Sequence, residues 1–425
     1  MIKNARILIL GSGGREHAFA WSLVNDENVD KVYCSPGNGG TDKIAENIDL
    51  DVSNHKTVIE FVKLNNINLT IVGPEIPLAD GIVDSFQESG LSIFGPDKYA
   101  SQLESSKLFA RDMMAAYDIP IPRYYACKSR GEVNLVKVKL ELPLVLKADG
   151  LAAGKGVYIC NSQSDSINAV NEIFNGRFGK TDCVLVEEFL KGEEMSYFVI
   201  SDGKTYKSFQ TAQDHKRVGE GDLGKNTGGM GAYSPSRLED SELENKINEK
   251  IINPTLKGLK ALNSEYVGFL YIGLMIIENE PFLIEFNVRM GDPECQTILP
   301  LLNSDLGEII YSCCTKNLSL TKIDWSDKKS LCIVLCSKGY PDKYEKNVII
   351  ENLEKLKLNN DQFIFHAGTK LFENKFMAIG GRVLNIVVTS NNFNECKNKA
   401  IKILEDINWS KGFYRKDIGY KVVSQ

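Results

Sequence analysis

Histidine and tryptophan are scarce in this chain, at four and three in 425 residues, and no two of its ten cysteines are spaced as C-x-x-C. With His only at positions 17, 55, 215 and 366, nothing has the ligand spacing of a zinc site. The cysteines, scattered from Cys34 to Cys396, read instead as buried free thiols of a reducing compartment, with Cys313, Cys314, Cys332 and Cys336 in the core. No apolar run approaches the roughly 20 residues of a membrane span. The first one, Ile7 to Leu10, is too short for a signal-peptide core, so a cytoplasmic protein without a membrane partner is expected. Basic residues are outnumbered, 50 Lys and Arg to 56 Asp and Glu, and the net charge of −6 argues against bulk nucleic-acid binding. A local basic pocket for small anions is still compatible with that balance.

Two nucleotide signatures are incomplete. Glu16 stands where a G-x-G-x-x-G dinucleotide fingerprint needs its third glycine, so Gly11-Ser-Gly-Gly-Arg15 suits a phosphomonoester at a helix N-terminus better than NAD; a plain tight turn is the other reading. Lys147-Ala-Asp-Gly-Leu-Ala-Ala-Gly-Lys-Gly156 has no Walker spacing and runs into a strand rather than a helix. Its small residues can close over phosphate oxygens, with Lys147 and Lys155 supplying charge, or form a simple Gly hairpin.

The length implies about three domains at roughly 150 residues each. From Arg6 to Tyr117, strands at Arg6–Leu10, Lys31–Cys34, Leu69–Val72 and Ser92–Phe94 alternate with helices at His17–Val24, Thr57–Lys63, Ala79–Ser89 and Tyr99–Tyr117. That alternation predicts a parallel sheet with ligand loops at its carboxyl end. Strands then flank the glycine loop, at Leu142–Leu146 and Val157–Cys160, and Cys183–Glu187 leads into Glu187-Glu-Phe-Leu190. Backbone next to Phe189 and Leu190 can bond an adenine edge, with a downstream carboxylate for the ribose. Residues 213–235 read as a long polar binding loop, in which His215 is a solvated side chain rather than a catalyst. A helix is predicted over Asp240–Leu262, and a small α+β unit closes the chain.

The most informative stretch is Pro281-Phe-Leu-Ile-Glu-Phe-Asn-Val-Arg-Met290. As a regular strand it puts Glu285, Asn287 and Arg289 on one face and Phe282, Ile284, Phe286 and Val288 on the other. The polar face is either solvated or built for a hard cation on the Glu285 and Asn287 oxygens, with Arg289 beside a transferring phosphoryl group.

Together these features resemble the ATP-grasp superfamily. Gly11-x-Gly-Gly-Arg-Glu-His-Ala18, Pro36-Gly-Asn38, Gln213-Asp-His-Lys-Arg217, Asn226-Thr-Gly-Gly-Met-Gly-Ala-Tyr-Ser-Pro235, Gly291-Asp-Pro-Glu294 and Phe365-His-Ala-Gly-Thr369 are similar in kind and order to the phosphoribosylamine–glycine ligase family. The resemblance implies a mixed α/β and α+β multidomain fold. Its parts would be a Rossmann-like substrate domain (1–104), an ATP-grasp domain (105–325, with a small lid subdomain at about 122–192) and a C-terminal α+β domain (326–425). It implies ATP as co-substrate, Mg²⁺ or Mn²⁺ at Glu285 and Asn287, and glycine and 5-phosphoribosylamine as partners of a monomeric enzyme. Lys107, Lys147, Gly154, Lys155, Gly156, Glu187, Phe189, Leu190 and Glu194 would then bind nucleotide. Gly13, Gly14, Arg15, Asn38, Glu75, Asp214, Gly229, Gly231 and Asp292 would bind the other substrates, and Arg289 and Lys147 would be catalytic. Gly273 stands where many ATP-grasp enzymes carry a further carboxylate.

Overall fold

The computed structural model describes residues 3–137, 139–152, 156–179 and 181–423. Strands β1 (Ala5–Gly11), β2 (Val29–Pro36), β3 (Glu46–Asn47), β4 (Leu69–Val72) and β5 (Ile93–Phe94) form a parallel sheet ordered β3-β2-β1-β4-β5. β4 is buried along its whole length and β1 everywhere but Arg6, as befits strands covered by helices on both faces. Strand order reverses beside β1, and the loops after β1 and β4 open on the resulting crevice. Two helices predicted as single are each broken. Gly81, at φ +96°, separates Glu75–Asp80 from Ile82–Glu88. Ser106, extended at φ −133°, separates Gln102–Ser105 from Lys107–Ala116 and caps the latter by accepting from the Phe109 N–H at 3.2 Å.

The next unit is an antiparallel sheet, β6 (Tyr124–Cys127), β7 (Leu144–Ala148), β8 (Val157–Cys160) and β9 (Val184–Glu188), ordered β6-β9-β7-β8 and backed by helices Arg130–Val136 and Gln163–Phe174. It has its own small core. Strands β10 (Glu193–Asp202) and β11 (Tyr206–Ser208) follow. Residues 213–235 are not the continuous loop expected from their polarity: they hold β12 (Gln213–Asp214), β13 (Arg217–Gly219), β14 (Leu223–Asn226) and β15 (Gly231–Ser234). The predicted Asp240–Leu262 helix runs as Ser241–Ile247, a widened π turn over Asn248–Ile252, and Asn253–Ala261. The widened turn lies just before Pro254, which cannot donate the regular backbone bond. Strands β16 (Val267–Ile277) and β17 (Glu280–Asn287) complete a second antiparallel sheet, ordered β11-β10-β16-β17. They are joined at Glu278 and Asn279, whose φ values of +50° and +62° fit a type I′ hairpin turn.

β17 is not regular, which corrects the expected alternation. Glu285 pairs with Gly273 but Leu283 pairs with Leu274, so Ile284 is one residue too many and forms a β-bulge. Before the bulge Pro281 and Leu283 face the core, and after it Phe286 and Val288 do, while Phe282 and Ile284 are only half-buried.

The C-terminal sheet is ordered β12-β15-β18-β23-β20 and contains β18 (Lys329–Ser337), β20 (Gln362–His366) and β23 (Arg382–Ser390), under helix Phe393–Ile407. Between β18 and β20 lies β19 (Val348–Ile349), which joins β21 (Thr369–Phe372) and β22 (Lys375–Ala378) in a small flap, and β24 (Gly412–Phe413) pairs with β18. Because β12 and β15 come from the preceding segment, this sheet is stitched to the residues that line the site. Among the described residues all ten cysteines are free, nine of them buried, and no helix is long and apolar enough to cross a membrane.

Three histidines lie inside these junctions. His17 Nδ1 accepts from the His366 N–H at 2.8 Å, and His366 Nδ1 meets Thr369 Oγ1 at 3.0 Å. His215, expected to be solvated, is buried, and its Nε2 accepts from the Gly419 N–H at 3.2 Å. Burial lowers all three, His215 to about 4 and His366 to about 3; Arg415 pushes His215 down further, against Asp222. Unfolded histidines take up protons near pH 6.5 and these do not, so stability is intact above that pH and falls as pH drops towards 4. Unfolding free energies from urea titrations at pH 7, 6 and 5 are expected to decline by up to about 1.4 kcal/mol per pH unit for each buried histidine. A His366→Asn variant is expected to show a shallower decline.

Candidate active site

A cavity of about 900 Å³ lies where the loops after β1 and β4, the sheet β6-β9-β7-β8 and the bulged strand β17 converge. On the side formed by β7 and β9, Lys147, at the end of β7, is 4% exposed. Its Nζ lies 2.8 Å from Glu187 Oε2 and donates to the Ile284 carbonyl at 3.1 Å. Burial lowers the Lys147 ammonium and Glu187 partly offsets this. Glu187 is itself wholly engaged: Arg111 donates to both its oxygens, at 2.7 and 3.0 Å. Its carboxylate therefore faces two cations inside the protein. Lys107 Nζ donates to the Gly150 carbonyl at 2.8 Å, and the Lys107 N–H to Asp149 Oδ1 at 2.6 Å, which ties the glycine loop to the start of its helix. Gly156, Phe189, Leu190 and Glu194 line the same cavity. Gly154 and Lys155 fall outside the described residues.

The bulge turns Ile284 and Glu285 both towards the cavity, with Asn287 and Arg289 two and four residues on. Among the described residues Glu285 pairs with Lys216 at 3.6 Å, which is held in turn by Glu194 at 3.0 Å. Burial alone would raise the Glu285 carboxyl, but Lys216, Lys147 and Lys107 outweigh it and keep it ionised. A carboxylate and an amide oxygen facing the cavity fit a hard divalent ion. A Cβ at Gly273 would come within 3.0 Å of Glu285 Cγ, so the missing carboxylate leaves that space to Glu285. Arg289 is fixed from several directions: by Glu75 at 3.3 Å, Glu104 at 2.8 Å, the Met290 carbonyl at 3.1 Å and Asn287 Oδ1 at 3.4 Å.

The first loop is more self-contained than its glycines suggest. Glu16 folds back under it, accepting from the Gly13 N–H at 2.6 Å and from Arg15 Nε at 2.6 Å, while Arg15 Nη1 donates to the Met290 carbonyl at 3.0 Å. A Cβ at Gly73 would come within 2.0 Å of Glu16 Oε1, and one at Gly11 within 2.5 Å of its Cγ. Glycine is needed here to admit the protein's own carboxylate. Asp292 accepts from the Arg15 N–H at 3.2 Å and pairs with Arg382 at 3.2 Å. Gly13, Arg15, Glu75 and Asp292 line the cavity; Gly14 and Asn38 do not. Asn38 Nδ2 donates to the carbonyls of Ser12 and His366, at 2.9 and 2.8 Å, clipping the first loop to the C-terminal unit.

Opposite, Asp214 lies beside Glu294, and burial together with that second carboxylate raises Asp214 well above the usual range. Gly229 and Gly231 are behind this wall rather than in it. A Cβ at Gly229 would press on Pro293 at 2.5 Å and Asp214 at 2.9 Å, and one at Gly231 on the Cys332 carbonyl at 2.5 Å.

Sequence reasoning missed Arg111, Glu104, Lys216, Glu294 and Arg382. Arg111 could have been found, being one helical turn beyond Lys107 on the same face, and Lys216 sits inside a motif already singled out. Nothing local marks Glu104 or Arg382.

The comparisons with known proteins agree along the whole chain. The N, ATP-grasp (A) and C domains of phosphoribosylglycinamide synthetase match residues 5–104, 105–295 and 330–421. The phosphoribosylamine–glycine ligase of Agrobacterium fabrum is 42% identical over 421 residues and that of Haemophilus influenzae 44% over 427, each alignment covering 99% of both chains. The crystal structure of the Thermotoga maritima phosphoribosylamine–glycine ligase superposes with a TM-score of 0.84 at 32% identity, covering 98% of this chain and 100% of that one. With three successive domains matched and identity above 40% from end to end, the chain belongs to the phosphoribosylamine–glycine ligase family.

Proposed function

We propose that the chain joins glycine to 5-phosphoribosylamine, as an ATP-dependent carbon–nitrogen ligase of purine biosynthesis, through glycyl phosphate. The observation that carries this reading is the meeting of Lys147, Glu285, Asn287 and Arg289 in one cavity, in a chain that matches the family over its length. A carboxylate is a poor electrophile towards an amine, so the terminal phosphoryl group of ATP first passes to a glycine carboxylate oxygen with release of ADP. The amine of phosphoribosylamine then attacks the carbonyl carbon, phosphate leaves with the bonding pair, and the amine loses its proton.

Phosphoryl transfer of this kind depends on positioning and on charge stabilisation, and no covalent enzyme nucleophile is required. Lys107 and Lys147 hold the nucleotide phosphates, the backbone at Phe189 and Leu190 the adenine edge, and Glu194 the ribose. Arg289, held rigid by Glu75 and Glu104, offers fixed positive charge to the group in flight. Glu285 and Asn287 would hold Mg²⁺ or Mn²⁺, which when bound screens the charge of the phosphates. Asp214 stands on the glycine side. Because the N–H of Gly13 is taken by Glu16 and that of Arg15 by Asp292, the sugar phosphate gains least from the helix N-terminus. Arg15 meets it as a side chain, with Glu75 and Asp292 as acceptors for hydroxyls.

With freshly made phosphoribosylamine, ADP release is expected to require both glycine and the amine, and bicarbonate is expected not to replace glycine. ADP release that ignores glycine overturns the proposal.

A further inference from the structure

Arg111 has no part in the chemistry just described, yet it is 3% exposed and its guanidinium bonds to two strands that line the site. From helix Lys107–Ala116 its guanidinium meets both Glu187 oxygens on β9, the Ile284 carbonyl at 2.7 Å and the Leu283 carbonyl at 3.4 Å on β17. Lys147 on β7 meets the same Glu187 and the same Ile284 carbonyl. Ile284 is the bulged residue, left over from the β16 ladder, so its carbonyl has two cations in place of a strand partner.

We propose that Arg111 is a positioning residue that couples the phosphate-binding lysine to the metal-binding strand. Its planar fork binds Glu187 with two parallel bonds and the bulge with the remaining donors, geometry that a single ammonium cannot reproduce. Held in this way the bulge keeps Glu285 aimed into the cavity, and Glu187 keeps Lys147 extended towards it. The inference rests on the assignment of Glu285 and Lys147 to the metal–nucleotide complex.

The test compares Arg111→Met, Arg111→Lys and Glu285→Gln with the parent enzyme, using calorimetric binding of Mn²⁺·ADP and of ADP alone, with steady-state kinetics. For Arg111→Met, Mn²⁺·ADP affinity is expected to fall at least tenfold and kcat about a hundredfold, while the KM for phosphoribosylamine stays within twofold. Arg111→Lys is expected to recover part of the loss, and it carries the test should the methionine variant fail to fold. A merely structural Arg111 would lower the unfolding midpoint and leave Mn²⁺·ADP affinity and kcat within twofold of the parent in both variants; that result overturns the proposal. If Glu285→Gln binds Mn²⁺·ADP as the parent does, the metal assignment itself fails and the inference goes with it. A weakened Glu285→Gln beside unchanged Arg111 variants sinks the inference alone.

Discussion

Replacing Arg289 by alanine is expected to lower kcat by about 10²- to 10³-fold, the usual consequence of deleting one fixed charge donor at a developing oxyanion. The protein is expected to stay folded. Arg289 lies between Glu75 and Glu104, and removing it leaves two carboxylates without their cation. Burial already raises Glu104 above the ordinary carboxyl range even with the guanidinium present. Once Arg289 is gone Glu104 can take up a proton rather than stand as a bare buried charge, which limits the structural cost. Glu285→Ala is expected to match the loss in kcat and to weaken the response to metal as well. Single-turnover phosphate release, with the urea midpoint measured on the same samples, separates chemistry from folding. Near-parental rates in either variant would remove these residues from the mechanism.

Much of this arrangement is legible in the chain because it is local. β4 and β8 lie where their short apolar runs and flanking glycines place them, and Lys147 and Glu187 fall at strand ends. What was not legible depends on partners far away in sequence. Register in an antiparallel pair is set between two strands, so the bulge at Ile284 could not be seen in β17 alone; it follows from how β16 pairs with it. β15 looks like a glycine-rich loop because its ladder partner, β18, begins about a hundred residues later. The incomplete fingerprint at Glu16 argued against a dinucleotide from the sequence alone. That the same carboxylate would fill the loop and take the Gly13 N–H needed the fold of β4 to show it, since Gly73 supplies the other wall. His215 was misread because polar neighbours in sequence suggested solvent, whereas Gly419 and Arg415 close over it from the chain's far end.

Glu187→Ala is expected to be the most destabilising single change near the site, by about 3–5 kcal/mol, because it leaves two buried cations facing each other without their shared anion. Both partners are almost fully enclosed: the side chains of Arg111 and Lys147 are 3% and 5% exposed. Burial would raise the Glu187 carboxyl, but Lys147 and Arg111 outweigh it and hold it below its ordinary range. Its contribution is therefore fully present above the unfolded carboxyl value, about 4.3, and is lost as pH falls through the lower folded value. The gap in urea midpoint between parent and Glu187→Ala should accordingly stay constant from pH 7 to 5 and narrow only in stronger acid. The triple replacement Arg111→Met, Lys147→Met, Glu187→Leu separates two reasons for keeping such a cluster. Removing all three charges together removes the unpaired ions along with the pairs, and apolar substitutes for a buried ionic group are commonly neutral or stabilising. The triple variant is thus expected to match or exceed the parent in urea midpoint while losing ligase activity. A triple variant as unstable as Glu187→Ala would mean that the cluster holds the two antiparallel sheets together. A stable, inactive one means that the cluster is kept for the site rather than for the fold.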